Sequence, residues 1–268
     1  MNESMSSPTS TTVAMSPYSV LVTGAASGIG LALTDHLTQS RHRVIATDRD
    51  GSALEAARIG IGNPASLRTL TLDVLDLASI DRVLAAVASD PPAVLINNAG
   101  LQHVAALEDY PPEKWQQLIG VMLTGAAMLT RAVLPGMRSR GFGRIINIGS
   151  IHALVASPYK SAYVAAKHGL VGFSKVVALE TADAEITINT VCPSYVKTPL
   201  VESQMEALAQ KHSLPVTRVA EETMLRPMPK HRFIEMDELA GIVEFLMSNA
   251  ARNITGQCIT VDGGWTAQ

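Results

Sequence analysis

Seven short apolar runs recur along the chain, each separated from the next by a stretch of helical character, and this alternation constrains the fold more than any other feature. The runs are residues 19–23 (SVLVT), 43–47 (RVIAT), 67–73, 93–97 (AVLIN), 144–148 (RIINI), 187–192 and 257–261. Helical patterns fill 29–40, 52–59, 77–89, 113–138, 161–182 and 237–248. Strands joined through helices need right-handed crossovers, and these produce a parallel sheet. Repeated βαβ units give the doubly wound arrangement. The expected fold is therefore α/β: a single Rossmann-type domain over residues 18–268 with a seven-stranded, mostly parallel sheet. Composition agrees. Of 268 residues 47% are hydrophobic but only 4% aromatic, which suits strands buried on both faces under closely packed helices.

Several classes are excluded at this level. A net charge of -3 offers no basic footprint for nucleic acid and no polybasic membrane patch. The first 17 residues, MNESMSSPTSTTVAMSP, hold no Arg or Lys and no apolar h-region. They read as a disordered tail rather than a targeting peptide. No unbroken run of about 18 apolar residues is present to span a bilayer, so the expected location is the cytoplasm, with no membrane partner. Two cysteines, Cys192 and Cys258, make neither a disulfide framework nor a zinc site, and no metal is expected; both read as reduced core residues. Residues 198–233 are polar, Met-rich and broken by prolines. An insertion of that length in a compact fold reads as a helical substrate lid.

The first strand runs directly into TGAASGIG, Thr23 to Gly30. Gly24, Gly28 and Gly30, with Ser27 and Ile29, would let the backbone turn tightly, approach a pyrophosphate and open a helix whose N–H groups face the anion. Asp48 ends the second run, where a carboxylate accepts adenosine ribose hydroxyls and repels a 2′-phosphate. Neighbouring Arg49 would instead favour that phosphate, but position 27 is serine rather than basic. The balance favours NAD over NADP. Asp73 and Val74 end the third run, and NNAG, including Asn98 and Gly100, ends the fourth. These loops all fall at the carboxyl ends of parallel strands, where such sheets bind ligands.

SAYVAAKHG sets Tyr163 and Lys167 one helical turn apart on one face. Taken alone, such a pair is a ring lying over a lysine stem. In the order TGAASGIG, Asp73, NNAG, Ser150, YVAAK and CPSYVKT, the chain resembles the short-chain dehydrogenase/reductase family from Tyr18 to its end. LQH at 101, SIHALVASPYKSAYVAAKHGLVGF at 150 and the closing VDGGWTAQ are similar to bacterial D-3-hydroxybutyrate dehydrogenases. The resemblance implies a homotetramer, NAD as cofactor and the couple 3-hydroxybutyrate/acetoacetate. It implies catalytic roles for Ser150, Tyr163 and Lys167, and adds Pro193, Val196 and Thr198 to the cofactor contacts. It places the carboxylate of a small hydroxy acid among Gln102, His152, Lys160 and Gln204, beside Tyr195.

Tyr163 would be the base that removes the alcohol proton. A free phenol, with a pKa of about 10, is too weak an acid for this near neutrality, and a fall of about three units needs roughly 4 kcal/mol of stabilisation of the phenolate. Lys167 and an oxidised nicotinamide are the expected sources. Two positions depart from the family pattern. Met122 stands where the family has an Asn that shapes the helix and supports a relay water, so reduced or altered activity is expected. Ser194 and Tyr195 replace the usual Gly and Trp, which points to a pocket for a longer or differently substituted acid. Two other readings remain open: a related dehydrogenase acting on another hydroxy acid, alcohol or oxoacyl group, and an NAD-binding protein with weakened turnover.

Overall fold

The computed structural model describes residues 17–267; the tail expected over residues 1–17 lies, apart from Pro17, outside them. β1 (Ser19–Thr23), β2 (Arg43–Asp48), β3 (Leu67–Thr71), β4 (Val94–Asn97), β5 (Gly143–Ile148), β6 (Ile186–Pro193) and β7 (Cys258–Val261) form one sheet in the order β3-β2-β1-β4-β5-β6-β7. Every pairing in it is parallel. Side chains alternate between two cores, as the two-residue strand period requires. Val20, Val22, Val44 and Ile96 face one core with Leu33, Leu37, Leu239 and Val243. These helical partners come from α1 (Gly28–Gln39) and, near the C-terminus, the helix Met236–Met247.

Leu21, Ile45, Leu95, Ile145 and Ile188 face the second core. It is covered by α3 (Leu77–Ala86), α4 (Pro112–Ile119), α5 (Ala126–Arg140) and α6 (Ser161–Glu180), while α2 (Gly51–Gly60) packs beside β2 and β3. The order reverses between β2-β1 and β4-β5. The crevice beyond the carboxyl ends of β1 and β4 is thus the topological switch point, where ligands bind such sheets.

The helix expected over 113–138 is interrupted. Gly120–Gly125 forms a π-helical turn between α4 and α5, a bulge often found at functional sites. Glycine permits its close approach to the chain after β3. A Cβ on Gly125 would lie 2.9 Å from Val74, and one on Gly120 would lie 2.8 Å from Leu75 Cδ2. The turn forms with Met122 at its centre, so asparagine is not needed to shape it. Together the 29 residues of Pro112–Arg140 are long and apolar enough by length and composition to cross a membrane, which counting unbroken apolar runs did not reveal. In this fold Leu118, Leu129, Val133 and Met137 are buried in the second core.

Residues 198–233 contain α7 (Pro199–His212), α8 (Val216–Val219) and a π turn at Ala220–Met224, before α9 (Met236–Met247). Only the first part roofs the crevice. Leu225 and Met228 are buried in the first core, so part of the methionine content anchors the segment. The two thiols also differ from expectation: Cys192 is buried, but Cys258, on the edge strand, is only partly so.

Candidate active site

The glycine loop leaves β1 at Thr23. Gly24 and Gly28 have φ of +65° and +55°, in the left-handed region that glycine tolerates. A Cβ on Gly24 would sit 2.9 Å from Ala99 Cα, so the loop lies directly against NNAG. Asn98 ties the two together, its Nδ2 donating to Thr23 O at 2.9 Å and Gly24 O at 3.1 Å. Thr23 Oγ1, unmarked in the sequence reading, accepts from the N–H of Asn98 and of Ala99, both at 3.0 Å.

A cleft of about 1090 Å³ follows this loop. Gly24, Ser27, Gly28, Ile29, Asp48, Asn98, Gly100, Tyr163, Lys167 and Thr198 line it. A recess of about 560 Å³ adjoins it, bounded by Asp48, Asp73, Val74 and Gly100. Three residues expected at the cofactor do not line either space. A Cβ on Gly30 would lie 2.1 Å from Gly24 O, so this glycine lets α1 pack on the loop. Pro193 closes β6, and Val196 is buried in a parallel bridge to Ile234.

Ser150 follows β5 and caps the short helix Ile151–Ala153, its Oγ accepting the His152 N–H at 3.2 Å. Tyr163 and Lys167 rise from the first turns of α6. Lys167 Nζ donates to Ile148 O at 2.7 Å and lies 5.6 Å from the Tyr163 ring centroid. Burial lowers the Lys167 ammonium to about 8. Burial also raises the Tyr163 phenol above its ordinary value, opposed by its hydrogen bond with Ser150. The expected acidification pairs Lys167 with an oxidised nicotinamide, and in the protein alone burial of the phenol runs in the opposite direction.

Beside these groups opens a pocket of about 420 Å³. It brings together Gln102, Ser150, His152, Lys160, Tyr163, Tyr195 and Gln204, every residue expected at the substrate, with Leu200 and Val201 of α7 above them. Burial, then the charges of Lys160 and His168, lower His152 to about 4, so its ring is neutral near pH 7. Lys160 is lowered by burial; its Nζ stands 5.6 Å over the Tyr195 ring, and no carboxylate pairs with it among the described residues. Trp265 stacks on Tyr195 and sets its edge to His152, each at 6.1 Å. Trp265 lies in the closing VDGGWTAQ, and nothing in the sequence signals that this turn folds back to the pocket. Ser194 turns its hydroxyl to Met228 Sδ at 3.3 Å. The whole arrangement can move a proton at one oxygen atom beside a flat ligand and hold an anion a few ångströms away.

The family described as short chain dehydrogenase matches residues 18–209. D-beta-hydroxybutyrate dehydrogenase of Cupriavidus necator is 46% identical over 253 residues, covering 92% of this chain and 97% of that protein. The protein of the same name from Rhizobium meliloti is 39% identical over 265 residues, covering 92% and 98%. Among solved structures, an actinorhodin polyketide ketoreductase variant with NADPH superposes with a TM-score of 0.88 at 32% identity, covering 94% of this chain and 98% of that one.

Proposed function

The chain belongs to the short chain dehydrogenase family, and from that premise we propose that it is an NAD-dependent 3-hydroxybutyrate dehydrogenase, interconverting D-3-hydroxybutyrate and acetoacetate. The observation that carries this reading is the pocket of Gln102, His152, Lys160 and Gln204 around the hydroxyls of Ser150 and Tyr163. A buried carboxylate needs charge-assisted and neutral donors. Lys160 supplies the charge and the two amides supply N–H groups. The family resemblance extends the reading to a homotetramer.

The crevice fits a nicotinamide dinucleotide. Its glycine cradle would be filled by a side chain at Gly24, and α1 opens toward it with backbone N–H groups suited to an anion. Asp48 supports NAD in particular. Its carboxylate accepts the N–H of Ala26 at 3.3 Å and of Asp50 at 3.1 Å, which aims it at the cleft with acceptor capacity left for ribose hydroxyls.

When bound in this crevice, an oxidised nicotinamide would supply a hydride acceptor and a positive charge beside Tyr163 and Lys167. Tyr163 takes the hydroxyl proton. Ser150 donates to the reacting oxygen and steadies it as it becomes a carbonyl. Lys167, locked by Ile148 O, holds its ammonium at the phenol side of the cleft. Lys160, Gln102 and Gln204 fix the carboxylate so that the carbinol hydrogen faces the cofactor cleft, and α7 excludes water from above.

Following cofactor absorbance with D- and L-3-hydroxybutyrate, each with NAD and NADP, tests the reading. Turnover of the D-acid with NAD is expected, and Lys160→Ala should raise KM at least tenfold. Turnover only with other alcohols or oxoacyl thioesters would favour a related reductase. NAD binding without any reduction would favour a protein that has lost catalysis.

A further inference from the structure

A four-carbon 3-hydroxy acid presents two polar groups, its carboxylate and its carbinol oxygen. On the function proposed above, Gln102, Lys160 and Gln204 meet the first, and Ser150 with Tyr163 meets the second. Two further hydroxyls remain in the same lining, those of Ser194 and Tyr195. The methyl group of such an acid gives neither of them a partner.

Neither hydroxyl is committed within the protein. Ser194 Oγ donates to Met228 Sδ at 3.3 Å, and a thioether is a weak acceptor. The Tyr195 hydroxyl makes no hydrogen bond among the described residues. Both side chains nevertheless spring from a fixed backbone. The Ser194 N–H donates to Val261 O at 3.0 Å, and Tyr195 O accepts the Ile234 N–H at 2.9 Å. Trp265 stacks on the Tyr195 ring, and the Lys160 ammonium stands over it. Covering such a wall with an alkyl group strips water from polar atoms and returns no hydrogen bond. The glycine and tryptophan usual at these two positions would offer neither hydroxyl.

We propose that the substrate this pocket selects is a 3-hydroxy acid bearing a second hydroxyl at C4, and that Ser194 and Tyr195 are the residues that select it. The Ser194 oxygen accepts from that hydroxyl and the Tyr195 O–H donates to it, so both its proton and its oxygen are matched. An ammonium in the same place would meet the like charge of Lys160 over the Tyr195 ring. The chemistry at C3 is unchanged. The carbinol hydride goes to the oxidised nicotinamide and the hydroxyl proton to Tyr163, leaving a 4-hydroxy-3-oxo acid. The C4 hydroxyl is neither oxidised nor reduced.

3,4-Dihydroxybutyrate and 3-hydroxypentanoate differ only by hydroxyl for methyl at C4, so the pair separates polarity from length. With the cofactor that the unmodified protein uses, kcat/KM for the dihydroxy acid should exceed that for the pentanoate at least tenfold, about 1.4 kcal/mol. The ratio should fall severalfold in Ser194→Gly and in Tyr195→Phe, and approach unity in the double variant. Each variant is scored on a ratio of two substrates, so a general loss of rate, fold or cofactor affinity cancels. A preference for the pentanoate in the unmodified protein would mean a longer apolar tail and would overturn the proposal. A ratio that the double variant leaves unchanged would overturn it too, because selection would then lie in other residues. Either result, with 3-hydroxybutyrate still oxidised, leaves the hydroxy-acid reading standing. Turnover of none of the three acids would overturn that reading and this proposal with it.

Discussion

The indole of Trp265 lies on the phenol of Tyr195, centroids 6.1 Å apart and planes 27° from parallel, so the turn Trp265–Ala267 backs Tyr195, a residue of the pocket that Ser150 and Tyr163 face. Asp262 holds that turn. Its carboxylate accepts the Gly264 N–H at 2.9 Å, the Thr266 N–H at 2.8 Å and the Thr266 hydroxyl at 2.6 Å. A residue remote in sequence from YVAAK thereby sets the shape of the site.

Asp262 should accordingly link acid stability to substrate affinity. Burial pushes its carboxyl up, but the hydrogen bonds from Thr266 and Gly264 outweigh this and hold it below the usual carboxylate range. A depressed folded pKa means stability that is fully present above the unfolded value, about 3.9, and is lost as pH falls through the folded one. Denaturation midpoints between pH 6 and 3 should fall more steeply for the unmodified protein than for Asp262→Asn. The same variant should raise KM for the hydroxy acid a few-fold and leave KM for NAD in place. Parallel acid profiles would show that Asp262 contributes no such linkage.

Lys167 is expected to make the site functional at the expense of stability. A buried ammonium lowered to about 8 binds fewer protons than the unfolded lysine between pH 8 and about 10.4. Unfolding then becomes harder as pH rises through that window, because the unfolded state holds the extra proton. Below pH 8 the penalty of the buried charge is fully present, about 3 kcal/mol at 1.36 kcal/mol per unit. Lys167→Met removes that charge and leaves Ile148 O without its donor, which costs about 1–3 kcal/mol. Measured by denaturant unfolding without cofactor, the unmodified protein should gain on Lys167→Met by about 3 kcal/mol between pH 8 and 10.5, while the variant loses turnover throughout. A pH-independent difference between the two would contradict the buried-ammonium account.

The sequence exposed the fold through strand spacing and exposed the site through motifs at strand ends, because both are local patterns. All seven strands and the glycine turn were legible in this way, whereas the Gln102, His152, Lys160 and Gln204 grouping came only from the family resemblance. The π turn at Gly120–Gly125 was not, since it arises from close approach to Val74 and Leu75, which no periodicity records. Gly30, Pro193 and Val196 belong to motifs that touch the crevice, yet each contacts protein here: a motif names a neighbourhood, and packing decides which member faces the ligand. Trp265 was missed for the same reason in reverse. Its place behind Tyr195 depends on where a loop lands in three dimensions.

On the proposed NAD reading cofactor choice turns on Asp48, and the neighbouring Arg49 makes the test discriminating. Both line the recess beside Asp73 and Gly100. With the carboxylate charged, a 2′-phosphate entering that recess meets like charge at short range, and ribose hydroxyls find an acceptor. Asp48→Asn keeps an oxygen for the Ala26 or Asp50 N–H but removes the charge, so the turn of the glycine loop should survive. The repulsion then disappears, and the Arg49 guanidinium is free to meet the phosphate. The ratio of kcat/KM for NAD to that for NADP should fall at least tenfold, about 1.4 kcal/mol, with both halves contributing: NAD weakens as its ribose loses a charged acceptor, and NADP improves. Melting temperature, measured alongside, should move little, since Asp48 lies at a strand end where it is partly exposed. A ratio unchanged in Asp48→Asn, at unchanged melting temperature, would show that discrimination lies elsewhere in the crevice.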